Sequence, residues 1–203
     1  MNPLAKGGIA IGTIAGISGI GYGVFHNLNS STYADLLKGI LLGTNDKEDQ
    51  DKWEKRLATL KKAKDNELIN ELKTIKAKKS TQKEATWNEL RDWCKKNINN
   101  QSKGEKDIEF QNIQSYCTFS NKEKLTKSID ASAANDQWKK GHDKLQSISK
   151  DKLVPALHTI KEQASGNSAN EAVKGWCSGI YDRPYKGEKD LEYKNASEIC
   201  KNS

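Results

Sequence analysis

Histidine, arginine and proline each occur three times in 203 residues, and methionine once. So few histidines leave little material for general acid–base or metal-ligand chemistry. No Gly-x-Ser-x-Gly elbow, His-Glu-x-x-His helix or Gly-Lys-Ser/Thr loop is present, which removes the common signatures of hydrolases, zinc proteases and nucleotide-binding enzymes. The four cysteines include no Cys-x-x-Cys pair, the close ligand spacing of a structural zinc site. Acidic residues are plentiful, but no pair stands out from the solvated background. The reading is a non-enzyme that needs no cofactor and no metal.

Hydrophobic residues are 34% of the chain and charged residues 30%, so no deep core is available. No window alternates β-branched residues with period two, the pattern of a half-buried strand. The net charge of +7 raises nucleic acid as a partner. Against it, the cations are lysines apart from Arg56, Arg91 and Arg183, acids are interleaved throughout, and no aromatic platform appears. Lysine-rich, solvated helices explain the charge, and no nucleic acid is expected.

The one long uncharged run covers residues 7–25, GGIAIGTIAGISGIGYGVF. At 1.5 Å per helical residue it reaches about the 30 Å of a hydrocarbon core. Its glycines suit lipid better than water, and Gly8, Gly12 and Gly16 are spaced for close packing with a second copy. A cleaved signal peptide is the rival, but no Ala-x-Ala site follows. No cysteine lies near the run, which excludes an acylated lipoprotein. Lys6 and the terminal amine precede the run, and the next basic residue is Lys38. This bias places the N-terminus in the cytoplasm and the C-terminal part outside, a single-pass signal-anchor in the cell membrane. His26 falls at the interfacial end. The piece Tyr33 to Gly43 is too short to span; it reads as a short amphipathic helix lying on the membrane or packing on the soluble part.

The soluble part is written twice. Trp93-Cys94 matches Trp176-Cys177, Lys103 to Asp107 matches Lys186 to Asp190 letter for letter, and Cys117 matches Cys200, all 83 residues apart without a gap. Ile108 matches Leu191 and Phe110 matches Tyr193. Upstream, Trp53 pairs with Trp138, Leu60 with Leu145, Leu68 with Leu153, Leu72 with Leu157 and Thr74-Ile75-Lys76 with Thr159-Ile160-Lys161, 85 apart. Each unit reads as three helices. The first is one long amphipathic helix, with Trp53, Leu57, Leu60, Leu68, Leu72 and Ile75 on one stripe. Its partner carries Trp138, Leu145, Ile148, Leu153, Leu157 and Ile160, and Pro155 should kink or delay it. A second helix holds Trp87, Leu90 and Trp93, or Val173 and Trp176. A third runs from Ile108 or Leu191 to the closing cysteine, with Ile113, Tyr116 and Ile199 on its apolar side. His142 and His158 correspond to Leu57 and Lys73 in the first unit, so neither belongs to the shared design; both read as surface or half-buried residues.

The cysteines fall as two pairs with the same separation. Three connectivities are open to four cysteines, and Cys94–Cys117 with Cys177–Cys200 is the one that respects the duplication. Closing each loop stabilises a unit by about 3 kcal/mol. Such bridges need an oxidising compartment, so they and the outward topology support each other; free thiols in a cytosolic protein are the rival. The repeated Lys-Gly-Glu-Lys-Asp is the sharpest constellation. Functionally, Lys103, Glu105, Lys106 and Lys186, Glu188, Lys189 could form two charged partner-contact loops. Structurally, Gly104 and Gly187 permit a turn, and the following acids favour the start of the third helix.

The opening Met1-Asn2-Pro3-Leu4-Ala5-Lys6-Gly7 with its glycine-rich run resembles the large paralogous families of short proteins in haemotropic mycoplasmas. Trp93-Cys94, Tyr116-Cys117 and Trp176-Cys177 are similar to elements of the same families. The resemblance implies a wall-less parasite whose surface carries many related proteins, supposed to vary antigenically. No activity or functional residue comes with it, and a lysine- and asparagine-rich composition would then reflect genomic base bias. The expected organisation is all-α: a transmembrane anchor (1–28), a juxtamembrane segment with a short amphipathic helix (29–47), a first helical unit (48–119), a linker or exposed helical connection (120–134) and a second unit (135–203). The expected function is a membrane-anchored surface protein with a non-catalytic interaction or antigenic role, its partners being the bilayer through residues 7–25, an unknown host or surface protein, and a second copy through the anchor. The alternatives are a cytoplasm-facing structural membrane protein with free thiols and, more weakly, a basic nucleic-acid binder.

Overall fold

The computed structural model describes residues 31–78 and 84–202. The described residues are all-helical, with ten α-helices, three short 3-10 turns and isolated β-bridges but no named strand among them. The expected anchor and His26 lie outside the described residues. Among the described helices none is long and apolar enough to cross a membrane.

Two hydrophobic clusters divide the described chain, one from Tyr33 to Cys117 and one from Ile129 to Cys200. In the first unit α2 (Gln50–Lys62), α3 (Asn70–Ala77), α4 (Trp87–Asn97) and α5 (Ile108–Cys117) surround the core. In the second, α7 (Lys139–Ser147), α8 (Pro155–Lys161), α9 (Asn167–Tyr181) and α10 (Leu191–Ile199) repeat them. The stripe read from the sequence is the buried face: Trp53, Leu57, Leu60, Leu68, Leu72 and Ile75 are all buried, as are Trp138, Leu145, Leu153 and Leu157. Burying each large apolar side chain contributes about 2 kcal/mol, so a lean composition still closes two small cores. The disulfides are Cys94–Cys117 and Cys177–Cys200, each with Cα atoms 5.7 Å apart, and no described cysteine is free.

The expected long first helix is broken in both units. Between α2 and α3 the chain opens into a 3-10 turn at Asp65–Glu67, and between α7 and α8 into another at Lys150–Lys152. The apolar stripe continues through the break because Leu68 and Leu153 remain buried there. The cause lies far off in sequence. Asn112 accepts a hydrogen bond from the Ile69 N–H at 2.9 Å and donates to the Glu67 carbonyl at 2.7 Å. Asn195 does the same with the Val154 N–H and the Lys152 carbonyl, at 2.9 and 2.8 Å. A buried amide thus supplies the partners that an uninterrupted helix would have supplied internally. Lys76 and Lys161 reach back to carbonyls at the ends of α2 and α7, satisfying groups that a helix terminus leaves open. Pro155 opens α8 at its first position and kinks nothing, the place where a missing N–H costs least.

A further element precedes these helices in each unit, a strap that begins in a one-turn helix. In the first unit this is α1 (Tyr33–Leu36), in the second α6 (Asn121–Lys124), each opened by a capping box, Thr32 with Asp35 and Ser120 with Glu123. The straps bind their units through matching backbone bonds. Ser102 N–H to Ser31 O (2.9 Å) is repeated as Tyr185 to Phe119 (2.7 Å), and Leu42 N–H to Cys117 O (2.9 Å) as Ile129 to Cys200 (2.8 Å). Tyr33, Leu37 and Leu42 are buried, so the piece Tyr33 to Gly43 packs on the helical body. Residues 120–134, expected as a linker or exposed connection, hold α6 and the buried Ile129.

Two outcomes follow. Asn112→Ala leaves a part-buried N–H and carbonyl without their partner and should destabilise the first unit by about 1 kcal/mol in urea unfolding, and Asn195→Ala the second by as much. Burial, with the Glu67 carboxylate adding to it, pushes the Tyr116 hydroxyl up to about 12; burial and then Asp130 do the same for Tyr181. These folded values lie above the unfolded value near 10. The neutral tyrosines therefore give their full stabilisation below about pH 10, and it is lost as pH rises from about 10 through 12. Absorbance at 295 nm should show Tyr116 and Tyr181 ionising together with loss of helix.

Candidate functional site

The repeated Lys-Gly-Glu-Lys-Asp joins α4 to α5 and α9 to α10, and its local structure follows from its residues. Gly104 and Gly187 take φ of 101° and 105°, a left-handed conformation that glycine adopts without strain. The turn closes with Asp107 N–H to Gly104 O at 3.1 Å and Asp190 N–H to Gly187 O at 3.2 Å. Asp107 then caps α5 by accepting from the Glu109 and Phe110 N–H groups, and Asp190 caps α10 by accepting from that of Tyr193. The glycine and the aspartate are thereby accounted for by the fold.

The charged positions between them are not. Lys103 pairs with Glu109 at 3.1 Å. The side chains of Glu105, Lys106, Lys186, Glu188 and Lys189 make no hydrogen bond or ion pair with any described residue, and Lys103, Lys106, Glu188 and Lys189 are exposed. Outside the pentapeptide, the residues shared between Trp93–Cys117 and Trp176–Cys200 have visible structural partners. The cysteines are bridged, the asparagines clamp the helix breaks, and the tryptophans pack on their cores. Glu109 is shared by Lys103, Asn100 and the Tyr33 hydroxyl, while Glu192 holds Arg183.

The next residue adds an apolar element. Ile108 and Leu191, equivalent positions at the first turns of α5 and α10, are the exposed large hydrophobics among the described residues, at 39% and 41%. Aligning the units pairs them, but their exposure could not be read, because the first turn of a helix can face either way. Each loop sits beside its own strap: Ser102 bonds to Ser31 and Gln101 bridges Thr32, while Tyr185 bonds to Phe119 and Pro184 bridges Ser120. No hydrogen bond or ion pair joins the two loops among the described residues.

The second loop lies at the junction of the units. Phe119 donates its N–H to the Ile40 carbonyl and its carbonyl accepts from the Tyr185 N–H, so one residue serves both halves. Arg56 of α2 donates through Nε to the Thr118 carbonyl at 3.1 Å and through Nη2 to Glu123 at 2.5 Å, with both side chains almost fully buried. The Lys124 ammonium stands 3.8 Å from the Phe119 ring centroid and 5.8 Å from that of Tyr185, within the range of a cation–π contact.

Other residues read as candidates are structural. His142 is buried at 1% beside Gln146, deeper than the expected surface or half-buried position, because it fills the core place of Leu57. His158 is half-buried, with Nε2 against the carbonyls of Lys150 and Leu153. A shallow depression of about 530 Å³ is lined by Lys140, Asp143, Lys144, Ser147, Glu198 and Lys201; it is open to solvent, and Lys144 and Glu198 pair across it at 2.9 Å. No group of His, Cys, Asp and Glu suited to a metal ion occurs among the described residues.

No protein-family model, curated protein or solved structure matches the chain.

The junction generates a test. Glu123→Ala leaves the Arg56 charge buried without its partner and should cost about 3 kcal/mol in urea unfolding, whereas Arg56→Met combined with Glu123→Leu should recover most of that loss.

Proposed function

We propose that this chain is a membrane-anchored surface protein with a non-catalytic interaction role, its duplicated scaffold displaying the Lys-Gly-Glu-Lys-Asp loop with the exposed aliphatic residue after it. The observation that carries the reading is the identity of the loop charges in both units where the fold makes so little use of them. Glycine and aspartate would persist for folding alone; Glu105 with Glu188 and Lys106 with Lys189 would not. A Lys-Glu-Lys surface beside an isoleucine or leucine suits another protein, where charge fixes register and the apolar side chain supplies contact area.

The location rests on separate support. Residues 7–25 are uncharged and about long enough to span a bilayer, and both disulfides belong in an oxidising compartment. The N-terminus then faces the cytoplasm and the helical units face outward. The motifs resembling the mycoplasma surface families agree with this placement, and a host or neighbouring surface protein is the partner class it suggests. The glycine spacing in the run allows self-association within the membrane.

Added protease should release fragments of the region after residue 30 from intact cells, and non-reducing peptide maps of the native protein should show Cys94–Cys117 and Cys177–Cys200. Protection of that region in intact cells, or free thiols, would remove the surface assignment. Changing Lys103, Lys106, Lys186 and Lys189 together to Ser should shift stability by about 0.5 kcal/mol or less per site while abolishing adhesion of the purified chain to cell surfaces; unchanged adhesion would remove the loops from the contact.

A further inference from the structure

The two loops are chemically alike, but the surfaces around them carry opposite charge. On α10, Lys194 lies three residues after Leu191 and shares its exposed face. Asn195, one residue further, holds the Lys152 carbonyl at 2.8 Å, so the 3-10 turn Lys150–Lys152 sits beside the second loop. On α5 the matching places are Gln111, whose amide is turned onto the Glu105 and Lys106 carbonyls, and Asn112, which holds the Glu67 carbonyl at 2.7 Å. The turn beside the first loop reads Asp-Asn-Glu where the second unit has Lys-Asp-Lys. Four of these charges are neutralised within the chain: Asp65 by Lys76, Lys103 by Glu109, Lys150 by Glu162 and Glu192 by Arg183. The first surface then keeps Glu67, Glu105 and Asp107 against Lys106 alone, a formal charge of −2. The second keeps Lys152, Lys186, Lys189 and Lys194 against Asp151, Glu188 and Asp190, a formal charge of +1.

We infer that the acidic Ile108 surface of one copy binds the basic Leu191 surface of a second copy, the two aliphatic side chains meeting among opposite charges. The pairing rests on the loop contact proposed above and supplies its partner. Ile108 and Leu191 are the exposed large hydrophobics among the described residues, and each removes the other from water. Charge then selects the arrangement. Pairing like with like sets acid against acid or lysine against lysine, whereas the unlike pair is complementary and fixes the register. Because the two faces differ, the contact is heterologous and can be repeated from copy to copy. Its charged part lies in solvent, so added salt weakens it.

A charge swap tests the pairing. Lys152→Glu with Lys194→Glu turns the second surface acidic, and Glu67→Lys with Glu105→Lys turns the first basic; none of the four side chains makes a hydrogen bond or ion pair with a described residue. Full-length chains in non-ionic detergent carry a photoreactive phenylalanine analogue at the exposed position 191. Isotopically labelled and unlabelled copies are mixed and irradiated, so that mass spectrometry separates adducts between copies from those within one. The expected result for the parent chain is an adduct from position 191 of one copy to residues 103–111 of another, reduced in 0.5 M salt. Either double variant alone should give about tenfold fewer such adducts, and mixing the two should restore them, because acidic surfaces then meet basic ones. Adducts joining position 191 to the Leu191 region of the other copy, adducts indifferent to charge reversal, or no adduct between copies overturn the self-contact. In that event, adhesion still lost on changing the four loop lysines keeps the loops as a contact for a different protein, whereas unchanged adhesion removes the loop contact as well.

Discussion

The last helix of each unit is the member to which all the others are tied. Along α5, Asp107 caps the helix and organises the charged loop, Asn112 holds the break between α2 and α3, and Cys117 is bridged to α4. The carbonyl of that same cysteine accepts the strap through Leu42. In α10 the corresponding places are Asp190, Asn195 and Cys200, with Ile129 as the strap residue. A short helix would be marginal by itself in water, and its neighbours are short too. Covalent closure and a buried amide therefore fix what a lean apolar core would hold only weakly.

The sequence disclosed the parts of this arrangement that repeat or run with a regular period. Trp53, Leu57, Leu60, Leu68, Leu72 and Ile75 announced one buried face, and the matched cysteines announced their pairing through the duplication. The break in the first helix was hidden, because its stabilising partner is Asn112, more than 40 residues beyond Glu67, and neither glycine nor proline marks it in the first unit. The identity of Asn112 and Asn195 was available in the alignment, but a polar residue inside a helix signals nothing until its burial is known. Packing on the body was one of two readings open for Tyr33 to Gly43, whereas the second strap escaped because its attachment is made largely by backbone groups, which any sequence supplies; the capping box of Ser120 with Glu123 was the available trace. The charged loop was legible as a motif, while the outward position of Ile108 and Leu191 required the fold.

Duplication explains how one loop could acquire two settings without altering its own chemistry. The turn geometry is kept by Gly104 and Gly187 and the helix starts by Asp107 and Asp190, so the surroundings were free to diverge. They did so at the straps: Ser31 stands beside the first loop where Phe119 stands beside the second, and Leu36 of the first strap has Lys124, which faces the Phe119 ring, as its counterpart. Buried Arg56, paired with Glu123, has Gly141 as its counterpart, where an added Cβ would lie 2.5 Å from the Ile199 carbonyl. The position that receives a following unit in one half is filled by its own backbone in the other.

The attachment of each strap also decides how a unit would respond to mechanical tension. In the first unit the chain enters at Ser31 and leaves at Thr118, and the exit is hydrogen-bonded to Ile40 and Leu42 of the strap. A pull along the chain would load these backbone bonds and the buried Tyr33, Leu37 and Leu42 of the strap first, ahead of the contacts among the helices of the body. The bridge between Cys94 and Cys117 would then withhold the segment between them, about 80 Å of contour length, acting as a stop on extension while the clamped helices remained intact.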